Sequence, residues 1–150
     1  FTEVIGQGTT HKRMLYKSAL HSIFLLDKIL STKKSLILEG SMNLETVNRG
    51  GEDFEKIDFT NKTVAIFGLG DQYGYDEYFI DGVGILAKEI LKNGGEVIGH
   101  WSTESYEFVK SKALMNENTF YGLALDEGNQ YDLSPERIDK WLLSLGLEIS

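Results

Sequence analysis

The residues best suited to chemistry form a glycine-rich loop that carries two tyrosines. The loop reads Gly68-Leu-Gly-Asp-Gln-Tyr-Gly-Tyr75, and its glycine spacing matches neither the dinucleotide fingerprint nor the Walker phosphate loop. Glycines leave backbone N–H groups accessible, so the loop can donate hydrogen bonds to the edge of a planar heterocycle while a tyrosine stacks on its face. A tight turn with incidental tyrosines explains the same pattern, and the residue types alone do not separate the two interpretations.

A strand and a helix on either side of the loop are expected to position it. Residues 63–67 are continuously apolar, which is typical of a strand buried on both faces of a parallel sheet. Apolar residues recur at helical spacing over 79–91, with Asp76 as the expected N-cap and 93–95 as the helix end. Residues 96–100 are expected to form the next strand. This order predicts a doubly wound α/β sheet, in which ligands bind beyond the carboxyl ends of the strands.

The other elements are less regular. Further strands are expected at 34–38, 105–108, 119–125 and, as a short piece, 2–5; helix formers fill 13–30; and a terminal helix is expected from Ser134 to Gly146. The region before Ser35 is short for two strands plus a helix. Because no repeat, linker or low-complexity stretch interrupts the chain, we expect residues 1–150 to form a single domain.

Composition excludes several classes of function. The 150 residues include no cysteine, which excludes a disulfide scaffold, a thiolate metal site and thiol catalysis. The three histidines are scattered, so no metal site is expected, and no Ser–His–Asp arrangement is present. No apolar run approaches the length of a membrane span and no signal peptide opens the sequence, so a location in the cytoplasm or an organelle stroma is expected.

The net charge of −8 argues against binding to nucleic acid, which requires a basic face. Residues 1–60 carry eight basic and eight acidic side chains, whereas residues 61–150 carry seven basic and fifteen acidic ones. The whole excess of negative charge therefore lies in the second part of the chain. A docking face for a basic partner and an acidic surface that maintains solubility are both consistent with this distribution.

Residues 62–150 resemble a long-chain flavodoxin almost throughout. The matching motifs are Val64-Ala-Ile-Phe-Gly-Leu-Gly-Asp-Gln72, Tyr75 with Phe79, Trp101-Ser-Thr, Tyr106-Glu-Phe108, Ser111-Lys-Ala113, Gly122-Leu-Ala-Leu-Asp-Glu127, Asn129-Gln130 and Glu136-Arg-Ile138. Residues 102–119 resemble the insertion in the last strand that distinguishes long-chain from short-chain members. The resemblance implies a flavodoxin-like sheet of five parallel strands with helices on both faces, one non-covalent FMN, and one-electron transfer at low potential.

The resemblance also assigns roles to the glycine loop. It implies that Tyr75 stacks on the outer face of the flavin ring and that Leu69, Gly70 and Asp71 line the pyrimidine end, largely through their backbone. Acidic side chains near the flavin would disfavour the addition of negative charge, and so make the fully reduced form a strong reductant. Because the acidic part of the chain coincides with the part that resembles a flavodoxin, a functional acidic face becomes the favoured interpretation.

Two other family loops depart from the pattern. Ser41, Met42 and Asn43 occupy the second flavin loop, where Met42 replaces a tryptophan that covers the flavin. A methionine covers an aromatic face less rigidly, and a residue that merely packs near the core would explain Met42 equally well. Thr9 and Thr10 belong to the only candidate phosphate loop, which matches the family poorly in order and spacing. Without concentrated donors for the phosphate, FMN affinity would be much lower.

Three hypotheses follow. The first is a flavodoxin, a monomeric FMN-dependent electron carrier that shuttles electrons between basic redox partner proteins, a reductase and an acceptor, with no substrate site of its own. The second is a flavodoxin-like module with impaired or lost FMN binding that acts in protein interaction or regulation. The third is a flavin-dependent oxidoreductase acting on a small molecule, although no pocket-forming insertion supports it.

Overall fold

The computed structural model describes residues 4–6, 15–16, 35–40 and 56–149. The strands in these ranges are β1 (Val4–Gly6), β2 (Leu15–Tyr16), β3 (Ser35–Glu39), β4 (Thr63–Leu69), β5 (Glu96–Ile98), β6 (Trp101–Ser102), β7 (Leu114–Asn116), β8 (Thr119–Phe120) and β9 (Leu123–Leu125). The helices are α1 (Asp81–Lys92) and α2 (Ser134–Ile149), and a short 3₁₀ helix, Tyr131–Leu133, precedes α2.

A parallel sheet with the order β2-β1-β3-β4-β5 organises these elements. Strand β4 is its longest member, and all of its residues except the two at its ends are buried. The continuous apolar run that predicted this strand is explained by its central position, because both of its faces are covered. The predicted doubly wound parallel sheet is confirmed.

The two described helices pack on opposite faces of the sheet. Val64 and Ile66 of β4 point toward α1 and share a buried cluster with its apolar residues. Phe67 points to the other face, where it packs against Trp141 of α2 with the ring centroids 6.2 Å apart. Alternating side chains of β4 therefore contribute to the hydrophobic cores on the two faces of the sheet. The prediction of helices on both faces is confirmed.

The expected insertion in the last strand is also confirmed. Strand β5 pairs with the first half of β4 and β9 with its second half, so the two short strands share one position in the sheet. The chain between them forms a small antiparallel sheet with the order β6-β8-β7. Its apolar side packs on α1 through an aromatic cluster of Phe79, Tyr106, Phe108 and Phe120.

Two strand predictions in the insertion are wrong. Residues 105–108 form no strand, because Tyr106 and Phe108 serve the aromatic cluster rather than a ladder. Residues 119–125 divide into β8 and β9 at Tyr121 and Gly122. A β-carbon at Gly122 would overlap the carbonyl oxygen of Ile66, so the chain crosses β4 too closely for any side chain there.

The predicted start of α1 and the predicted end of α2 are wrong. Helix α1 begins at Asp81 rather than after Asp76, because the chain continues in turns to Ile80, which has a left-handed backbone with φ of 45°. The Ile80 side chain is buried over Gly70, and this burial offsets the strain of that conformation. Helix α2 runs through Gly146 to Ile149 instead of ending at the glycine. The predicted start of α2 at Ser134 and the end of α1 at Asn93 are confirmed.

The region before Ser35 contributes two strands to the sheet, although it is short. Strand β1 overlaps the short strand expected at 2–5 and lies between β2 and β3. Leu15 and Tyr16 form β2, so the prediction of helix from residue 13 is wrong at these positions. Strand β3 agrees with the prediction for 34–38. Among the described residues, no helix has the length and apolarity needed to cross a membrane.

A helix glycine gives a test of this packing. A β-carbon at Gly84 of α1 would overlap the carbonyl oxygen of Lys112 and lie 2.6 Å from the nitrogen of Ala113. Gly84→Ala is therefore expected to lower the free energy of unfolding by about 2–3 kcal/mol, although alanine is the better helix former. Urea denaturation measures the change.

Gly146→Ala is the matched control, because nothing lies within 4 Å of a β-carbon at that position of α2. Its free energy of unfolding should be unchanged or should rise by up to about 1 kcal/mol. Equal effects of the two substitutions would show that α1 does not pack closely on the insertion.

Candidate functional site

The loops that follow three neighbouring strands meet at the carboxyl edge of the sheet. After β4, the Gly70 N–H donates a hydrogen bond to the Leu125 carbonyl at the end of β9, with a nitrogen–oxygen distance of 2.9 Å. After β3, the Gly40 N–H donates to the Phe67 carbonyl at 2.6 Å. This edge is where open parallel sheets bind their ligands. The Gly68–Tyr75 loop is therefore held from both sides at the expected place.

Asp71 fixes the conformation of this loop. Its Oδ1 accepts hydrogen bonds from the backbone N–H groups of Tyr73, at 3.0 Å, and Gly74, at 2.7 Å. The Tyr75 N–H donates to the Asp71 carbonyl at 2.9 Å. A single carboxylate thus closes the turn in the way that short acidic side chains favour. The closed turn leaves the side chain of Tyr75 67% exposed beside the loop.

A buried carboxylate behind the loop anchors it to the chain that follows β9. Asp126 is fully buried, and its Oδ2 accepts hydrogen bonds from the backbone N–H and the side-chain Nε2 of Gln72, at 3.1 and 2.7 Å. The Nδ2 of Asn129 donates to both oxygens of Asp126, at 3.0 and 2.9 Å, and to Oδ1 of Asp71 at 2.9 Å. One amide therefore links the two carboxylates.

The insertion is attached to the same loop. The Glu107 N–H donates to Oε1 of Gln72 at 2.6 Å, and the Tyr73 hydroxyl donates to Oε2 of Glu107 at 3.1 Å. The hydrogen bond to this carboxylate and its charge raise the pKa of Tyr73. Since hydrogen bonds reach the loop from both the insertion and the Asp126 segment, its geometry depends on residues distant in sequence.

The hydrogen bonds hold both carboxylates ionised. Donation by the Gly74 N–H, the Asn129 side chain and the Tyr73 N–H lowers the pKa of Asp71. Burial by itself raises the pKa of Asp126, but the hydrogen bonds from Asn129 and Gln72 outweigh it, so that the pKa is also below its ordinary value. Each donor is aimed at a charged oxygen, which favours the ionised form.

These shifts predict how stability depends on pH. A carboxylate with a pKa lowered by folding contributes stability above its unfolded pKa of about 3.9, and this contribution disappears as the pH falls through the folded value. We expect the free energy of unfolding to drop below about pH 4. Urea denaturation from neutral pH to about pH 3 measures it. Asp126→Asn should flatten this part of the profile, and an unchanged profile would contradict the assignment.

A groove of about 370 Å³ opens beside the loop. It is lined by Gly40, Gly68, Leu69, Gly70, Asp71, Tyr75, Tyr78, Phe79, Ile80, Asp81, Gly82, Val83 and Ile85. The N–H of Asp71 has no hydrogen-bond acceptor among the described residues. An exposed aromatic ring and a free backbone donor at one groove are the features that bind a flat, polar-edged heterocycle. The groove therefore fits the ring end of a flavin.

The structure brings together four of the predicted site residues. Leu69, Gly70, Asp71 and Tyr75 all line this groove. The remaining predicted site residues, which are Thr9, Thr10, Ser41, Met42 and Asn43, lie outside the described residues. The roles of both sets in binding FMN stay predictions.

Sequence reasoning missed the residues that support the loop. In the sequence Asp126 stands out only as a member of the flavodoxin-like motif 122–127, whereas in the structure it is buried and accepts hydrogen bonds from Gln72 and Asn129. A signal was present, because Asp126 directly follows the apolar segment of β9 and so lies at the carboxyl edge of the sheet. The partnership with Gln72 had no such signal, since 54 residues separate the two.

Comparisons with known proteins agree with this geometry. The family model described as "Flavodoxin" matches residues 18–141. A flavodoxin from a Nostoc species is 49% identical over 96 residues, which are 64% of this chain and 56% of the relative. A flavodoxin from Haemophilus influenzae is 49% identical over 87 residues, 58% of this chain and 50% of the relative. The matched part thus spans about half the length of these curated relatives.

A solved structure extends the similarity to nearly the whole chain. It is a Fusobacterium nucleatum flavodoxin bound to flavin mononucleotide, with a TM-score of 0.78 and 26% sequence identity. The match covers 97% of this chain and 95% of that one. The family model, the relatives and the solved structure agree, and the family model alone covers well over half of the sequence. The chain belongs to the flavodoxin family.

Proposed function

We propose that this chain is an electron carrier that binds FMN and transfers one electron at a time at low potential. The observation that carries the proposal is the groove at the carboxyl edge of the sheet, where the exposed Tyr75 ring lies beside the Asp71 N–H, which has no acceptor among the described residues. The Fusobacterium nucleatum flavodoxin, whose fold matches along nearly the whole chain, is bound to flavin mononucleotide. As a family of electron-transfer proteins, flavodoxins need no substrate site of their own.

The residues of the groove would bind and orient the flavin ring. Bound FMN supplies the capacity to accept and release single electrons. Tyr75 would cover one face of the ring, and the N–H of Asp71 would donate to its polar edge. Leu69 and Gly70 hold the backbone close to that edge, because Gly70 is tied to Leu125 by its own hydrogen bond. These contacts fix the ring in an orientation that leaves it accessible to a partner.

Acidic groups around the groove would set the direction of electron transfer. Asp71 and Asp81 line it, and Asp126 lies behind the loop with its pKa held low. Negative charge at this range opposes the addition of further negative charge to a bound ring. The carboxylates therefore lower the reduction potential, and the reduced carrier becomes a strong electron donor.

The same acidity supports basic proteins as redox partners, with a reductase on one side and an acceptor on the other. The excess negative charge of the chain lies entirely in residues 61–150, which contain the groove. Opposite charges steer such partners together and accelerate their encounter. We expect the carrier to act as a monomer in the cytoplasm or an organelle stroma, where these partners would be met.

Salt provides the test of electrostatic docking. Raising the ionic strength from about 0.05 M to about 0.5 M should slow reduction by a reductase with a basic docking face several-fold, because the charges are then screened within a few ångströms. Stopped-flow absorbance measures the rate. A rate that does not respond to salt would remove the acidic face from partner binding.

Uptake of FMN tests the central proposal. Purified chain is mixed with FMN, and free flavin is removed by gel filtration. A yellow protein with close to one equivalent of flavin, reducible in one-electron steps, is the expected result. A colourless protein that leaves added FMN in the free fraction would overturn the proposal and favour an interaction or regulatory module instead.

A further inference from the structure

A buried arginine lies on α2. Arg137 is only 7% exposed, and its guanidinium carbon lies 4.3 Å from the ring centroid of Tyr106. Its Nη1 donates to the Oε1 of Gln130 at 2.9 Å. Among the described residues no carboxylate lies within ion-pair distance of it. An arginine carries five N–H donors, of which the Gln130 oxygen occupies only one. Among the described residues no Arg137 nitrogen is both sealed from solvent and unpaired, so the other donors can be reached by a ligand.

This arginine forms part of the floor of a second groove. The groove has a volume of about 290 Å³ and is lined by Trp101, Ser102, Glu104, Ser105, Leu133, Glu136, Arg137 and Lys140. It shares no lining residue with the groove beside Tyr75. A ligand in this second groove therefore would not displace one from the first.

The charges around the groove define what it can accept. Lys140 pairs with Glu136 at 2.9 Å, so these two side chains neutralise each other at the exposed rim. Glu104 is exposed and makes no ion pair among the described residues. Arg137 at the floor is then the one uncompensated cation of the lining. Arg137 can neutralise one negative charge of a ligand, whereas the second charge of a dianion would face Glu104 uncompensated.

The planar shape of the guanidinium group further restricts the class of ligand that the groove can bind. A planar carboxylate receives two parallel hydrogen bonds from an arginine, which a spherical ion cannot do. Trp101 and Leu133 add apolar side chains to the lining, and Ser102 and Ser105 add polar ones. We propose that this groove binds a small organic monocarboxylate, with its carboxylate on Arg137 and its carbon skeleton against Trp101.

Titration with sodium acetate tests the proposal on the full chain with FMN present. Acetate avoids the phosphate-binding region that a flavodoxin is expected to have. Two-dimensional ¹H–¹⁵N NMR follows the Arg137 Nε–H and Trp101 indole signals, with sodium chloride at equal ionic strength as reference. We expect saturable shifts of both signals with a dissociation constant of about 1–10 mM. Shifts that do not saturate, or that chloride reproduces, would mean an adventitious ion only and overturn the proposal.

Substitutions at the floor and the rim sharpen the test. Arg137→Lys keeps the charge but loses the planar pair of donors, so acetate binding should weaken about tenfold or more. Glu104→Gln removes a repulsive rim charge from an exposed side chain and should tighten binding about threefold without affecting folding. Lys92→Gln, a charge change on α1, is the control and should leave binding unchanged. Equal responses of Glu104→Gln and the wild type would also contradict the proposal. None of these readouts depends on FMN binding.

Discussion

Tyr75→Ala is expected to weaken FMN binding by about tenfold to a hundredfold, since stacking of an aromatic side chain on a heterocycle contributes about 1–3 kcal/mol. The tyrosine lies at the edge of the groove with most of its ring free, so little else is lost when it is removed. The more negative of the two one-electron midpoint potentials should also rise, because the electron-rich ring no longer disfavours added charge. Fluorescence titration with FMN gives the affinity, and spectroelectrochemistry gives the potentials.

Tyr131→Ala is the matched control for this substitution. Tyr131 is 70% exposed, close to the value for Tyr75, but lies in the 3₁₀ helix and does not line the groove. Its removal should leave both the affinity and the potentials unchanged. If Tyr75→Ala bound FMN as tightly as Tyr131→Ala, Tyr75 would have no stacking role, even if the chain proved to carry FMN.

Asp126→Ala is expected to lower the free energy of unfolding by about 3–4 kcal/mol. The substitution leaves the N–H and Nε2 of the buried Gln72 without their acceptor. It also removes the acceptor of the N–H and Nδ2 of Asn129, which is exposed and can turn to water. Because the same donors hold the loop against β9, FMN affinity should fall together with stability. Urea denaturation and FMN titration measure the two effects.

Two variants calibrate this result. Asp126→Asn keeps one oxygen as an acceptor and should cost less than Asp126→Ala. Asp139→Ala removes an exposed carboxylate from α2 and should change the free energy of unfolding by less than about 0.5 kcal/mol. Equal losses for Asp126→Ala and Asp139→Ala would show that the buried network does not stabilise the loop.

The sequence predicts the centre of the fold well because that centre depends on local patterns. The apolar run of β4 and the helical spacing after residue 79 both reflect burial, and burial is visible in residue types. Thr63–Leu69 and the start of α2 at Ser134 therefore appear in the structure close to where they are expected. The glycine loop follows from its place after β4.

The failures occur where distant contacts decide the local conformation. Tyr106 and Phe108 have the composition of a strand, yet they contribute to an aromatic cluster with Phe79. Ile80 adopts a backbone that is unfavourable for its residue type, because its side chain fills the space above Gly70. Asp126 and Gln72 pair across 54 residues. None of these contacts leaves a periodic trace in the chain.

Strands β5 and β9 share one position beside β4, and this arrangement has a consequence for the synthesis of the chain. The glycine loop lies in the middle of the chain, but the groups that close it, the Leu125 carbonyl and the Asp126 carboxylate, come after the whole insertion. A nascent chain that has emerged from the ribosome only as far as β8 has β5 beside β4 but lacks β9. The loop becomes complete only when translation has passed Asn129. Binding of FMN at this loop, as proposed, would therefore be a late event that requires the segment from β9 to Asn129.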